Sequence, residues 1–293
     1  MTTLPRPSDI DMLGLAFDED PHRGRFELAQ HLARPDGALY GGTAIAASVV
    51  AMEAATGRPA LWLTTQFVAS ARVGEVIEVT TDVLAEGRRI AQVQVSGRAG
   101  GRVVFMSLGS TAYPRDGGME GQYQAMPRVA GLEESGGTPF GPGRMPDSPP
   151  GFTMHVEYRR SEVQGDDEPG APVVVWARMT DGRPLTPATV AFLADMVPAA
   201  IVRAAVPNAD EMGPAWATSL DNSMRFGTVE PEEEWILLEM RGHLATGGSA
   251  HGSVFVWTPD GVLVAVGGQS ANMLHGAGPA TAGRPPMEGT GGT

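Results

Sequence analysis

Through the run GRRIAQVQVSGRA, apolar and polar residues alternate with a period of two, clearest at Ala91, Val93 and Val95. That period marks a strand with one face buried. LWLTTQFVASA, GEVIEVTTDVLA and GRVVFMSLGSTAY have the same strand-like character. Ahead of them LYGGTAIAASVVAMEAATG predicts a helix of small and apolar residues, opened by Gly41 and Gly42 and closed by Gly57.

The same order then recurs. FTMHVEYRRSEV and APVVVWARMT read as strands and lead into a predicted helix, TPATVAFLADMVPAAIVRAAV. WATSLDNSMRF, EEWILLEMRGHLA, SAHGSVFVWTPDG and VLVAVGGQSANML follow as strands, with a hairpin turn at Pro259, Asp260 and Gly261. A shift of about 160 residues lays VIEVTTDV over WILLEMRG and GGRVVFM over DGVLVAV, which implies an internal duplication. Residues 114–151 are rich in Gly and Pro without sustained periodicity and are predicted to link residues 1–113 to residues 152–275; residues 276–293 are predicted to be a disordered tail. The expected fold class is α+β: two antiparallel β-sheets, each wrapped around a central apolar α-helix, paired edge to edge.

Composition narrows the chemistry. With 293 residues, 42% of them hydrophobic, the chain can bury two cores of ordinary size. No apolar run reaches the length of a membrane span, and MTTLPRPSDIDMLG has neither a basic nor an apolar leader region, so a soluble, cytoplasmic protein is expected. Cysteine is absent and all 21 basic residues are arginine, which excludes disulfides, thiolate metal sites, Cys nucleophiles, Schiff bases and a P-loop lysine. A net charge of −13 opposes binding to nucleic acid or to an anionic membrane. A coenzyme A ester can still bind where a few arginines cluster.

Asp195 lies within AFLADMVPAAIV, and a carboxylate in so apolar a run must be hydrogen-bonded, protonated or at work on a ligand. Ser219, in ATSLDNSMRF, and Gln269, at the end of a strand-like run, offer a hydroxyl and an amide. An acid, a hydroxyl and an amide are a way to hold one water molecule. The plainer readings are that Asp195, three residues before Pro198, caps a second helical segment after a kink, that Ser219 is a strand-end hydroxyl and that Gln269 is a satisfied edge amide. Asp221, in polar surroundings, reads as a turn or strand-end residue, and His243 and His251 have no metal-ligand spacing.

With these residues laid out, the chain from about Asp36 to Leu274 resembles the acyl-CoA thioesterase II family, which has a double hot-dog fold. The resemblance rests on Gly41 and Gly42 before the first helix, on QFVASARVGE and EGRRIAQVQV, on FLADMVP, on the run Ser219, Leu220, Asp221, Asn222, Ser223, and on Gln269 after the Asp-Gly hairpin. Asn222 stands where the family commonly has His, and Arg225 replaces an aromatic. The resemblance implies hydrolysis of an acyl thioester by water that Asp195 deprotonates and that Ser219 and Gln269 fix, with no metal or other cofactor. Backbone N–H groups at Gly41 and Gly42 would receive the oxyanion, against the plainer reading that these glycines serve only helix–sheet packing. Arg88 and Arg89, in a strand turn, are candidates to meet the CoA phosphates, against the plainer reading of a solvated hairpin. Expected partners are the acyl-CoA substrate and further copies of the chain, with no nucleic acid and no membrane. Two other readings stay open: a catalytically silent acyl-thioester binding protein and a hot-dog hydratase.

Overall fold

The computed structural model describes residues 8–136, 150–163, 171–205, 215–228 and 233–275. The expected tail, residues 276–293, and residues 137–149 of the expected linker lie outside the described residues.

The alternating runs form strands as their period demands. In the first half these are β1 (Ala16–Phe17), β2 (Arg23–Glu27), β3 (Ala60–Phe67), β4 (Val76–Glu86), β5 (Ile90–Ala99) and β6 (Arg102–Ala112). The second half supplies β7 (Val156–Ser161), β8 (Val173–Met179), β9 (Ala215–Phe226), β10 (Ile236–Thr246), β11 (Ser249–Trp257) and β12 (Leu263–His275). All pair antiparallel in the order β1-β2-β4-β5-β6-β3-β9-β12-β11-β10-β8-β7. The two expected sheets are therefore one hydrogen-bonded sheet of 12 strands. The reason is the edge pairing itself: β3 and β9 run antiparallel from Trp62 opposite Arg225 to Gln66 opposite Asp221, so no break separates the halves. Arg225, in the aromatic's place, lays its guanidinium 5.7 Å from the centre of the Trp62 ring.

Helix α2 (Gly41–Thr56) is buried at every residue from Gly42 to Met52, because it packs on β3 to β6 on one side and on a helix of the second half on the other. Its Gly, Ala and Ser residues permit that close double contact. The second-half run, for which Pro198 gave the plainer reading of a kink and a second helical segment, is broken into α3 (Pro187–Ala194) and α4 (Val197–Ala205). Pro198 is the cause, since it carries no N–H for the Ala194 carbonyl four residues earlier and its ring would collide with that oxygen. The break is well supplied with donors. Met196 N–H bonds to the Ala194 carbonyl at 2.8 Å, the Tyr158 hydroxyl to the Leu193 carbonyl at 3.2 Å, and the Tyr40 hydroxyl to the Phe192 carbonyl at 2.9 Å.

A short helix that the hydropathy pattern does not announce, α1 (Asp9–Leu13), begins with a capping box in which Ser8 Oγ accepts from Asp11 N–H and Asp11 accepts from Ser8 N–H. It docks on the second half, where Thr186, the N-cap of α3, donates to Asp9 Oδ2 at 2.8 Å.

The described part of the connection between halves is packed against the second half. Met126, Val129 and Leu132 cover Val174, Trp176, Leu237 and Trp257 on the sheet face away from the helices. Ala130 and Gly136 N–H bond to the Glu162 and Arg160 carbonyls along the outer side of β7, each at 3.1 Å. Among the described residues no helix is long and apolar enough to cross a membrane.

Candidate active site

Asp195 occupies the break between α3 and α4, with backbone angles (φ −77°, ψ 53°) outside the helical range. Its side chain does not cap α4. It turns to the strands, where Oδ1 accepts from Gln269 Nε2 at 2.7 Å and from Asn222 Nδ2 at 3.0 Å. Gln269 Nε2 also donates to Ser219 Oγ at 2.9 Å. The three residues singled out from the sequence thus meet, although they lie far apart along the chain.

A β-bulge makes this meeting possible. Residues 219 and 222 would face opposite sides of a regular strand. Between β9 and β12 the register shifts, so that Asp221 pairs with Ser270 and Ser219 with Ala271, leaving Leu220 as the extra residue. Ser219 and Asn222 then share the side on which Asp195 lies. Asp221 Oδ1 accepts the Ser270 N–H at the bulge, 2.7 Å away, which gives that acid a structural task.

The first half closes the site from the other direction. Gly41, the first residue of α2, lies so close to the carboxylate that a Cβ there would fall 2.4 Å from Asp195 Oδ2 and 2.9 Å from Phe67 Cζ. Only glycine allows this approach. The Gly42 backbone N–H lies near enough to the Asp195 carboxylate to hold its pKa down. The Tyr40 hydroxyl, besides bonding to the Phe192 carbonyl, reaches the Asp195 carbonyl at 3.3 Å, and its ring stacks on Phe152 with centroids 3.8 Å apart.

Burial dominates the electrostatics. Asp195 is 7% exposed, and desolvation pushes its pKa up to about 7; the Asn222 and Gln269 amides, the Gly42 N–H and the Arg34 charge pull in the other direction without cancelling it. An acid poised near neutrality can take up and return a proton.

Asp195, Ser219 and Gly41 all line one cavity of about 510 Å³. Its walls are mostly apolar, with Phe67, Val68, Val104, Phe152, Met196 and Pro198 drawn from both halves. Gln269 and Asn222 stand behind Asp195 and Ser219, outside the lining. Arg34 lines the cavity and pairs with Asp36 at 3.1 Å. Arg88 and Arg89 follow the β4 strand in the turn to β5 and are not among the lining residues; Arg89 donates to the Pro114 carbonyl. Among the described residues no cluster of three or more His, Asp or Glu side chains could hold a metal ion.

Sequence reading did not find Asn222 as a partner of Asp195, nor Tyr40, Phe67 or Arg34 as neighbours of the site. Tyr40, Phe67 and Arg34 act on the site across the contact between halves, of which local periodicity carries no record, whereas Asn222 meets Asp195 from β9 of the same half through the tertiary packing of that half.

Comparison with known proteins gives the family. A family model described as the acyl-CoA thioesterase N-terminal domain matches residues 31–112, and one described as the acyl-CoA thioesterase C-terminal domain matches residues 128–273. Among solved structures, a candidate thioesterase from Novosphingobium aromaticivorans is 30% identical, with a TM-score of 0.77, over 89% of this chain and 98% of that one. The acyl-CoA thioesterase II TesB2 of Mycobacterium marinum is 20% identical, with a TM-score of 0.71, over 92% of this chain and 100% of that one. A protein of unknown function with a hot dog fold from Alicyclobacillus acidocaldarius is also 20% identical, with a TM-score of 0.75, over 92% of this chain and 98% of that one. No curated protein sequence matches the chain.

Proposed function

The chain belongs to the acyl-CoA thioesterase family, and from that premise we propose that it hydrolyses acyl-CoA by direct attack of a water molecule that Asp195 deprotonates. It is a thioester hydrolase. The observation that carries the site assignment is the shared cavity: a buried carboxylate poised near pH 7 and a serine hydroxyl open side by side onto an apolar space, with a helix N-terminus facing them.

Each residue has a distinct part. Gln269 has both amide protons committed, one to Asp195 and one to Ser219, so it positions those two groups and does not touch the water through its nitrogen. Ser219 Oγ already accepts from Gln269 and keeps its own proton to donate to the attacking water. Asp195 Oδ2, on the Gly41 side, takes the water's proton as oxygen bonds to the thioester carbon. The Gly41 N–H, at the positive end of α2, receives the negative charge that develops on the carbonyl oxygen. When the tetrahedral intermediate collapses, the carbon–sulfur bond breaks and the proton passes from Asp195 to the departing thiolate. The products are a free acid and coenzyme A.

The apolar walls suit an acyl chain and keep stray water from the reacting carbon. We read the chain as a double hot-dog, residues 1–113 and 152–275, in which α2 lies on the first half of the sheet and α3 with α4 on the second. A hydratase of this architecture would need a histidine beside the acid, and among the described residues none lines the cavity.

Free-thiol release from a panel of acyl-CoA esters tests this reading, and a chain without cysteine adds no background. Replacing Asp195 with Asn should lower kcat by about a hundredfold or more while leaving ligand affinity within about tenfold. Turnover that survives the change intact would remove Asp195 as the base; binding without any thiol release from the native protein would make it a silent thioester-binding protein.

A further inference from the structure

Asn222 is the polar side chain of the site to which the hydrolysis mechanism gives no part. It is 2% exposed, and its Nδ2 donates to Asp195 Oδ1, the same oxygen that Gln269 holds. The two amides come from residues directly opposite each other in the β9–β12 ladder, so both bonds rest on one rigid pair of strands. Two donors on Oδ1 fix the plane of the carboxylate and leave Oδ2 beside Gly41, at the cavity. Meanwhile Asn222 Oδ1 is buried without a partner, an unfavourable arrangement that makes sense where the donor at the other end of the amide is what matters.

We propose that Asn222 is a positioning residue for the hydrolysis: it holds Asp195 Oδ1 so that Oδ2 faces the cavity, and it sets the pH at which the carboxylate becomes a base. This rests on Asp195 being that base. An amide is neutral at every working pH, so Asn222 and Gln269 add no titration of their own. The groups facing Asp195 from its other neighbours are Tyr40 before α2, Tyr158 on β7, Ser219 on β9 and Arg34 at the cavity wall, which is paired with Asp36. Both tyrosines are held far in their neutral form by burial, and arginine stays charged, so one ionisation should govern the acid side of the rate profile.

The test is the pH dependence of kcat/KM for native enzyme, Asn222→Leu and Asn222→Asp. Leu removes the donor at similar volume, and the acid limb should move up by about one pH unit with KM changed less than about threefold. Asp brings a second carboxyl within reach of the first and should move the limb further in the same direction, a reading that remains should the Leu variant fail to fold. Limbs that stay in place in the variants that fold, whether or not the plateau falls, would reduce Asn222 to a packing role and overturn the proposal. Asp195→Asn, assayed alongside, separates the two failures: if it is inactive while the limbs do not move, the base stands and only Asn222's part is lost. If it is active, the base assignment itself has failed.

Discussion

Thr65 of β3 and Asn222 of β9 face each other directly across the seam between the two halves. Ser107 lies opposite Thr65 on the next strand outward, and Gln269 lies opposite Asn222 on the other side. The four residues therefore form one row over β6, β3, β9 and β12, with the halves contributing alike. On the first-half side the row is hydroxyl only: Thr65 and Ser107 are joined at 2.8 Å, Ser107 and Ser48 of α2 at 2.8 Å, all buried. On the second-half side two amides meet a carboxylate. The two halves thus share the frame, and the acid stands on the second-half side of it.

That acid makes stability depend on pH in a defined direction. The folded pKa of Asp195, about 7, lies above the 3.8 of a free Asp, so the folded state holds a proton that the unfolded chain gives up. The associated stability is fully present below about pH 4 and is lost as pH rises to about 7, by roughly 4 kcal/mol at 1.36 kcal/mol per unit. Thermal unfolding at pH 5 and pH 8 should show Asp195→Asn more stable than native at pH 8 and closer to it at pH 5. An equal difference at both values would contradict a buried, high-pKa acid.

Gly41 should tolerate no side chain. Its Cβ would overlap Asp195 Oδ2 and Phe67, so Gly41→Ala must displace the carboxylate or the helix. A kcat loss of about a hundredfold is expected, with a stability cost of about 1–3 kcal/mol. Steady-state kinetics and urea unfolding read both. A fully active alanine variant would mean that the carboxylate has another productive position.

The bulge at Leu220 gives Asp221 a testable part. Asp221→Leu removes the acceptor for the Ser270 N–H and should lower kcat on the order of ten- to a hundredfold by turning Ser219 away; Asp221→Asn retains an acceptor and should lie nearer native. Equal rates in all three proteins would show that the bulge holds itself.

Arginine substitutions locate the coenzyme A phosphates. Arg34→Ala, at the cavity wall, should raise KM for acyl-CoA about tenfold by removing a charge-assisted contact, whereas the Arg88→Ala, Arg89→Ala double variant should change it less than about twofold. The opposite ranking would put the phosphates at the β4–β5 turn.

The strands were legible in the sequence wherever burial on one face imposes a period of two, as from Ile90 to Ala99 and from Arg102 to Ala112. Helix α2 was legible for the opposite reason: it is buried all round, and Gly41 and Gly57 mark its ends. Short elements were not. β1 has 2 residues, and α1 depends on a cap formed by Ser8 and Asp11 and on docking to Thr186. Of the site, Asp195 was conspicuous because a charge interrupts an apolar run. Tyr40 and Arg34 were not, since their relation to Asp195 spans more than 150 residues and exists only once the halves pack. The helix break was half visible: Pro198 announced a kink, but not that Tyr40 and Tyr158 would take up the freed carbonyls.

The seam uses up the inner margin of each half, so among the described residues the sheet of 12 strands ends at β1 and β7. β1 is too short to recruit another chain, and the connecting segment, through Ala130 and Gly136, takes up the carbonyls of Arg160 in β7 and of Glu162 just beyond it. The linkage that ties the halves together thus also covers part of the β7 edge that a strand of another chain would need for pairing.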